Sequence, residues 1–225
     1  TRRLNYINNI LNNFLRQNIE NKELIIVINN NSINMNDYKK LTVNYHNIHI
    51  YKLDENITLG SCLNFATTKC KYNIISKFDD DDYYGPFYLR EILKTFNMVD
   101  CHAVGKSKSF IYFEKYNKLM IKKIGFENTF VNLVLGSTLS FKKEILNKIS
   151  FQDINVHEDK CFCNDCLKNK YAIYSNSVYN HIVFKHSDVN NHTFKSNMDL
   201  LIKLSTSIKN NLSFEDSFAL VNHLD

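Results

Sequence analysis

Apolar residues at Leu4, Ile7, Ile10, Leu11, Phe14 and Leu15 recur at three- and four-residue intervals, which predicts an amphipathic helix at the start of the chain. The run Leu24-Ile-Ile-Val-Ile28 is apolar at every position and rich in β-branched side chains. It predicts a strand with a sheet neighbour on each side, ended by the turn Asn29-Asn30-Asn31-Ser32. Residues 35–45 then fit a helix, 49–53 a strand and 59–70 a helix. A strand through Ile74-Ile75 and an amphipathic stretch over 87–96 follow. This regular alternation predicts a parallel sheet wrapped by helices. The second half changes character. Short strands are expected at 103–105, 109–116, 119–122 and around Gly136 over 131–141, helices at 142–149 and 158–168, strands at 171–174 and 178–184, and a helix from about Lys195. There is no internal repeat and no linker. One α/β domain over residues 1–204 is expected, with 205–225 a polar helical tail or the lead-in to another region.

Composition changes this picture little. The 44 % hydrophobic and 23 % charged residues are ordinary for a globular protein, and the richness in Asn, Ile and Lys reads as an AT-rich genome. A net charge of +5 is spread along the chain without a basic, aromatic-interleaved stripe, so a nucleic-acid partner is not expected. No apolar run approaches the ~20 residues of a membrane span, and no signal peptide is visible. Cys161, Cys163 and Cys166 with His157 nearby raise zinc as a possibility. On a helix, however, Cys161 and Cys163 point in different directions, so buried reduced thiols and a cytoplasmic setting are the better reading.

The chemistry is concentrated in Asp79-Asp80-Asp81-Asp82, placed where the Ile74-Ile75 strand runs out and followed by Tyr-Tyr-Gly85-Pro86. Adjacent carboxylates repel, more so when buried, and therefore demand counter-charge. A hard divalent cation, Mg²⁺ or Mn²⁺, answers that demand and leaves coordination positions for substrate phosphates. A solvated acidic turn or a helix N-cap is the plain alternative. The carboxyl end of a strand in an α/β sheet is where ligands bind, which favours the first.

Four features together resemble the family-2 glycosyltransferases of the GT-A fold: the opening helix with Gln17 and the strand after it, Leu59-Gly60 with Asn64 and Ala66, Phe78 to Tyr84 with Pro86, and His157-Glu158-Asp159 about 75 residues on. Among these it is similar to a bacterial subgroup carrying the four aspartates, two tyrosines and a late Asn191-His192-Thr193-Phe194. The resemblance implies a GT-A type α/β fold with a mostly parallel central sheet and an inverting, metal-dependent transfer of sugar from a nucleotide-sugar. The donor would be a UDP-sugar, and the acceptor a glycan, a peptide or a small molecule. It implies Asp81 as direct metal ligand, Asp79 on the ribose or the metal, Asp82 as support for the loop, and His192 as a metal or diphosphate ligand. Donor contacts fall on Thr1, Arg2, Asn29, Asn31, Asn64, Lys77, Asp79 and Asp80. Asp159 becomes the general base, Glu158 its helper, and Gly136, Ser137 and His157 the acceptor side. Without the resemblance Glu158 and Asp159 are simply first-turn acids of a helix, and His181, His186 and His192 surface histidines.

Three departures stand out. Asn29 to Ser32 replaces an acidic stretch that holds the base in relatives; an amide still donates and accepts, but the preference for uracil loses its usual partner. His157 stands where many relatives have Gly. The family's first strand is expected just upstream of Thr1. Two other classes compete: a nucleotidyltransferase or metal-dependent phosphohydrolase, lacking here a Gly-rich phosphate loop, and a non-catalytic Ca²⁺- or carbohydrate-binding module, whose spaced ligands and central Gly are missing.

Overall fold

The computed structural model describes residues 1–188 and 198–224. A 3₁₀ turn at Leu4–Tyr6 leads into α1 (Ile7–Leu15), followed by β1 (Leu24–Ile28), α2 (Met35–Thr42), β2 (Ile48–Lys52), α3 (Leu59–Lys69), β3 (Ile74–Ser76), β4 (Tyr83–Tyr84) and α4 (Tyr88–Met98). The second half holds β5 (Ala103–Gly105), β6 (Phe110–Phe113), β7 (Lys118–Lys122), β8 (Thr129–Phe130), β9 (Ser140–Lys142), α5 (Glu158–Lys168), β10 (Ile173–Ser175), β11 (His181–Lys185), α6 (Met198–Lys203), β12 (Ser205–Asn210) and α7 (Phe218–Val221).

The strands form mixed sheets. β1 and β2 are a parallel pair, β3-β9-β5-β10-β8 make one five-stranded sheet, and β12-β7-β6-β11-β4 make another. The parallel arrangement expected for the first half therefore holds only for β1 and β2. β3 and β4 instead pair antiparallel with β9 and β11 from the second half. Two further expectations change. Residues 142–149 form a 3₁₀ turn at Lys143–Asn147 in place of a full helix. Residues 205–210, expected to open a helical tail, form β12 on the edge of β7. The β-branched alternation of Ser-Thr-Ser-Ile-Lys-Asn suits a strand covered on one side only. Beyond it, Val221 is buried with Tyr83 and Ile182 against Phe214 and Phe218.

α1 shows how sequence becomes site. Its apolar face, Ile7, Leu11 and Phe14, packs with Ile26, Ile28 and Tyr38. Each such side chain contributes about 1.5–3 kcal/mol on full burial. The polar residues Asn9, Asn13 and Gln17, spaced four apart, line a second face. Asn9 Nδ2 donates to the carbonyls of Asp80 and Asp82 at 2.8 and 2.9 Å. Asn13 donates to Asp82 O at 2.8 Å and accepts from the Tyr84 N–H at 3.2 Å. Gln17 donates to Gly85 O and accepts from Leu89 N, both at 3.0 Å. One helix face thus satisfies the irregular backbone from Asp80 to Leu89, which would otherwise be buried unpaired.

β1 and β3 are not hydrogen-bonded to each other, and a cavity of about 1520 Å³ reaches between them. At its mouth the Thr1 amine donates to Val27 O at 2.6 Å and the Asn29 N–H donates to Thr1 O at 2.9 Å. That is the rung a parallel neighbour of β1 makes opposite Ile28.

Asn13→Ala removes the acceptor that pairs the buried Tyr84 N–H. The expected cost is about 1–3 kcal/mol of stability, read as a lower urea midpoint. An unchanged midpoint would show that the polar face of α1 does not hold the loop.

Candidate active site

The loop after β3 presents four carboxylates, and each meets at least one basic group of the protein. Lys77 Nζ lies 2.5 Å from Asp79 Oδ1. Arg3 forks onto Asp80 through Nε and Nη2 and reaches Asp81 Oδ2 with Nη1 at 3.1 Å. His186 Nε2 sits 3.0 Å from Asp81 Oδ2, with the Tyr6 hydroxyl 3.1 Å away. His181 Nε2 lies 3.2 Å from Asp82 Oδ2, and Asp82 Oδ1 accepts from the Phe184 N–H at 3.0 Å. The counter-charge that the aspartate run demands is therefore supplied, at least in part, by the protein itself.

Protonation follows from these contacts. Burial pushes the Asp81 carboxyl up, but the His186 hydrogen bond and the Arg3 charge outweigh it and hold it at about 2. Asp82 goes the other way: burial raises it, and His181 only partly compensates. Burial works against the charge on Lys77, yet Asp79, with help from Glu158 and Asp159, keeps its ammonium above the ordinary value. Glu158 is raised by burial, against the pull of Lys77.

The second acidic element lies on the same cavity. Glu158 and Asp159 open α5, behind His157, whose φ of 69° is left-handed. A Gly adopts that conformation without the strain a side chain brings, which accounts for the Gly expected there in relatives. Gly136, in the 3₁₀ turn Gly136–Thr138, leaves room for the Asp159 carboxylate, since a Cβ there would lie 2.2 Å from Asp159 Oδ2. Tyr84 ties the two halves together: its hydroxyl donates to Ser137 O at 2.6 Å and accepts from the Asp79 N–H at 2.8 Å. Its ring stacks on Phe78 at 3.7 Å.

Of the residues expected at the site, Thr1, Arg2, Asn29, Lys77, Asp79, Asp80, Asp81, Gly136, Ser137, His157, Glu158 and Asp159 line this one cavity. Asn64 does not. Its amide is spent on Phe151, donating to O at 2.8 Å and accepting from N at 2.9 Å. Gly60 lets α3 touch the same segment, because a Cβ would meet Gln152 O. Leu59-Gly60 with Asn64 is thus a packing motif. Asn31 does not line the cavity either; it is exposed and bonded to Asp54 and Glu55. His192 lies outside the described residues. His181 and His186, expected as surface histidines, are 0 % and 5 % exposed and face the aspartates. Cys163 and Cys166 are buried in the Phe141, Phe151 and Phe162 core, where burial pushes their thiols to about 11 and about 12.

Among the described residues no cluster of three or more metal-binding side chains occurs. Asp81 and His186 nevertheless suit a cation. The 3.0 Å between Asp81 Oδ2 and His186 Nε2 is a hydrogen-bond distance, and a cation held by both would replace that bond. The carboxylate oxygens are ligands of the kind that suits Mn²⁺ or Mg²⁺. Other positions would fall to phosphate oxygens and water.

The model of the family described as Glycosyl transferase family 2 matches residues 2–154, ending just before Glu158. The chain belongs to this family. The O-antigen biosynthesis glycosyltransferase WbnJ of Escherichia coli is 32 % identical over 156 residues, 64 % of this chain and 59 % of that protein. Among solved structures, S. aureus TarS 1-349 in complex with UDP-GlcNAc superposes with a TM-score of 0.68 at 16 % identity, over 87 % of this chain and 58 % of that one. The mannosyltransferase PcManGT from Pyrobaculum calidifontis, in complex with GDP-Man and Mn²⁺, gives 0.61 at 13 % identity over 84 % and 55 %. These likenesses show the GT-A type fold. The chain spans a little over half the length of these relatives.

The depressed Asp81 carboxyl predicts a pH signature. A carboxyl at about 2 in the folded chain against 3.8 ordinarily adds stability above about pH 4 that is lost as pH falls toward 2. In guanidinium unfolding, the midpoint gap between the parent and Asp81→Asn should narrow from pH 5 to pH 3. A gap independent of pH would contradict the ionised Asp81 with its Arg3 and His186 partners.

Proposed function

We propose that this chain carries the donor-binding and catalytic part of an inverting glycosyltransferase that uses a UDP-sugar and Mn²⁺ or Mg²⁺. One observation carries the reading. The aspartate loop and the Glu158-Asp159 pair, more than 75 residues apart in sequence, line one cavity, with Lys77 charged between them. A divalent cation at Asp81 and His186 supplies positive charge where the departing diphosphate gains negative charge. Asp79, held by Lys77 and the Tyr84 hydroxyl, faces the nucleotide ribose. Thr1, Arg2 and Asn29 form the end of the cavity that takes the base. The TarS complex with UDP-GlcNAc supports a UDP-sugar donor.

Asp159 acts on the acceptor. It takes the proton from an acceptor hydroxyl as that oxygen attacks the anomeric carbon from the face opposite the diphosphate. The new C–O bond forms, the bond to diphosphate breaks with its electron pair leaving on the phosphate, and configuration inverts. Glu158, kept close to Lys77, orients this exchange. The acceptor is a glycan, as the O-antigen relative supports, or else a peptide or small molecule bearing a hydroxyl. No described helix is long and apolar enough to cross a membrane, and the reading places the chain in the cytoplasm.

Asp159→Asn separates the roles. With Mn²⁺ and a panel of nucleotide-sugars, release of nucleoside diphosphate should fall about 10²–10⁴-fold, while donor affinity by calorimetry stays within a few-fold. Equal loss of affinity and turnover would make Asp159 a structural acid at the start of α5.

A further inference from the structure

Arg3 has no role in the proposed reaction, yet it is the most heavily engaged cation near the aspartates. Its fork on Asp80 is reinforced by the Thr1 hydroxyl, 2.5 Å from Asp80 Oδ2. Its guanidinium lies 4.3 Å from the Tyr6 ring centroid. Its Nη1 contacts the same oxygen, Asp81 Oδ2, that faces His186 Nε2. Tyr6, Arg3, Asp81 and His186 therefore close a ring, because the Tyr6 hydroxyl also meets His186. The oxygen best placed to bind a cation is already occupied by a positive group of the chain.

We infer that Arg3 is the chain's own counter-ion for the aspartate loop, and that it competes with the divalent cation for Asp81. Without the cation, the Nη1 contact balances Asp81 and keeps the loop in place. When the cation binds, that contact is given up, while the fork on Asp80 tethers the guanidinium beside the diphosphate position. An oxygen bonded to a cation has less negative charge to offer a guanidinium, and two positive groups on one carboxylate oxygen repel. Asp80 is thus the anchor and Asp81 the contested group. This competition rests on the cation-dependent function proposed above and gives Arg3 a part in it.

The test compares the parent with Arg3→Met, which keeps the aliphatic stem and removes the charge. Mn²⁺ binding is measured by calorimetry, alone and with UDP, and thermal unfolding is followed in chelator. Competition predicts that Arg3→Met binds Mn²⁺ at least about five-fold more tightly and melts lower in chelator, with Mn²⁺ recovering most of the loss. Unchanged or weaker Mn²⁺ affinity overturns the inference, even if the melting point falls, because Arg3 would then be a structural pin only. A second measurement needs no variant. The chain has four arginines, so the Arg3 side-chain NMR signal can be followed directly in the parent. It should shift when Mg²⁺ is added with UDP, while Arg16 and Arg90 stay in place; an unmoved Arg3 signal also overturns the inference. A parent that binds UDP but no divalent cation refutes both the competition and the cation dependence of the proposed function. A parent that binds cation and UDP while the Arg3 arms fail refutes the competition alone.

Discussion

Neighbouring carboxylates in a half-buried loop repel one another, so Asp79 to Asp82 hold their shape only if each is balanced separately. The chain does this with four groups from three places. Lys77 comes from the end of β3, Arg3 from the segment before α1, and His181 and His186 from β11 and the residue just after it. The backbone of the loop needs a second set of partners, and the Asn9, Asn13 and Gln17 face of α1 provides them. Much of the architecture serves this requirement. β4 pairs with β11, which brings His181 beneath Asp82, and Tyr84 spans from Asp79 to Ser137.

The same contacts that neutralise the loop also align it with the acidic start of α5. Lys77 is shared by Asp79, Glu158 and Asp159, so the aspartate loop and the start of α5 belong to one electrostatic unit. Gly136 sets the separation, because the Asp159 carboxylate occupies the space a side chain there would take. Charge on one wall therefore influences the protonation of the other.

Much of this was legible in the sequence, and the misses have physical reasons. Helical periodicity located α1 and α4, and a β-branched run located β1, because those signals are local. The strand pairing was less accessible. A three-residue strand such as β3 carries no mark of whether its neighbour is parallel β1 or antiparallel β9. The demand for counter-charge was read correctly, but the sequence reading assigned it to a metal alone. The histidine partners of Asp81 and Asp82 lie about 100 residues away, and histidines have no periodic signal to betray them. Asn9 and Asn13 were submerged in an Asn-rich composition, although their four-residue spacing with Gln17 was visible as a second helix face. Asn64 was assigned to the donor by resemblance, whereas its amide closes a backbone gap at Phe151.

The central claim is that Asp81 and His186 together receive a divalent cation beside the diphosphate of the donor. Crystals grown with UDP and Mn²⁺ test it most directly, through an anomalous difference map recorded at the manganese edge. The account predicts one strong peak bonded to Asp81 Oδ2 and His186 Nε2, with diphosphate oxygens completing the shell. UDP bound in the cavity with no manganese peak at Asp81, or with the peak held by other residues, would contradict it.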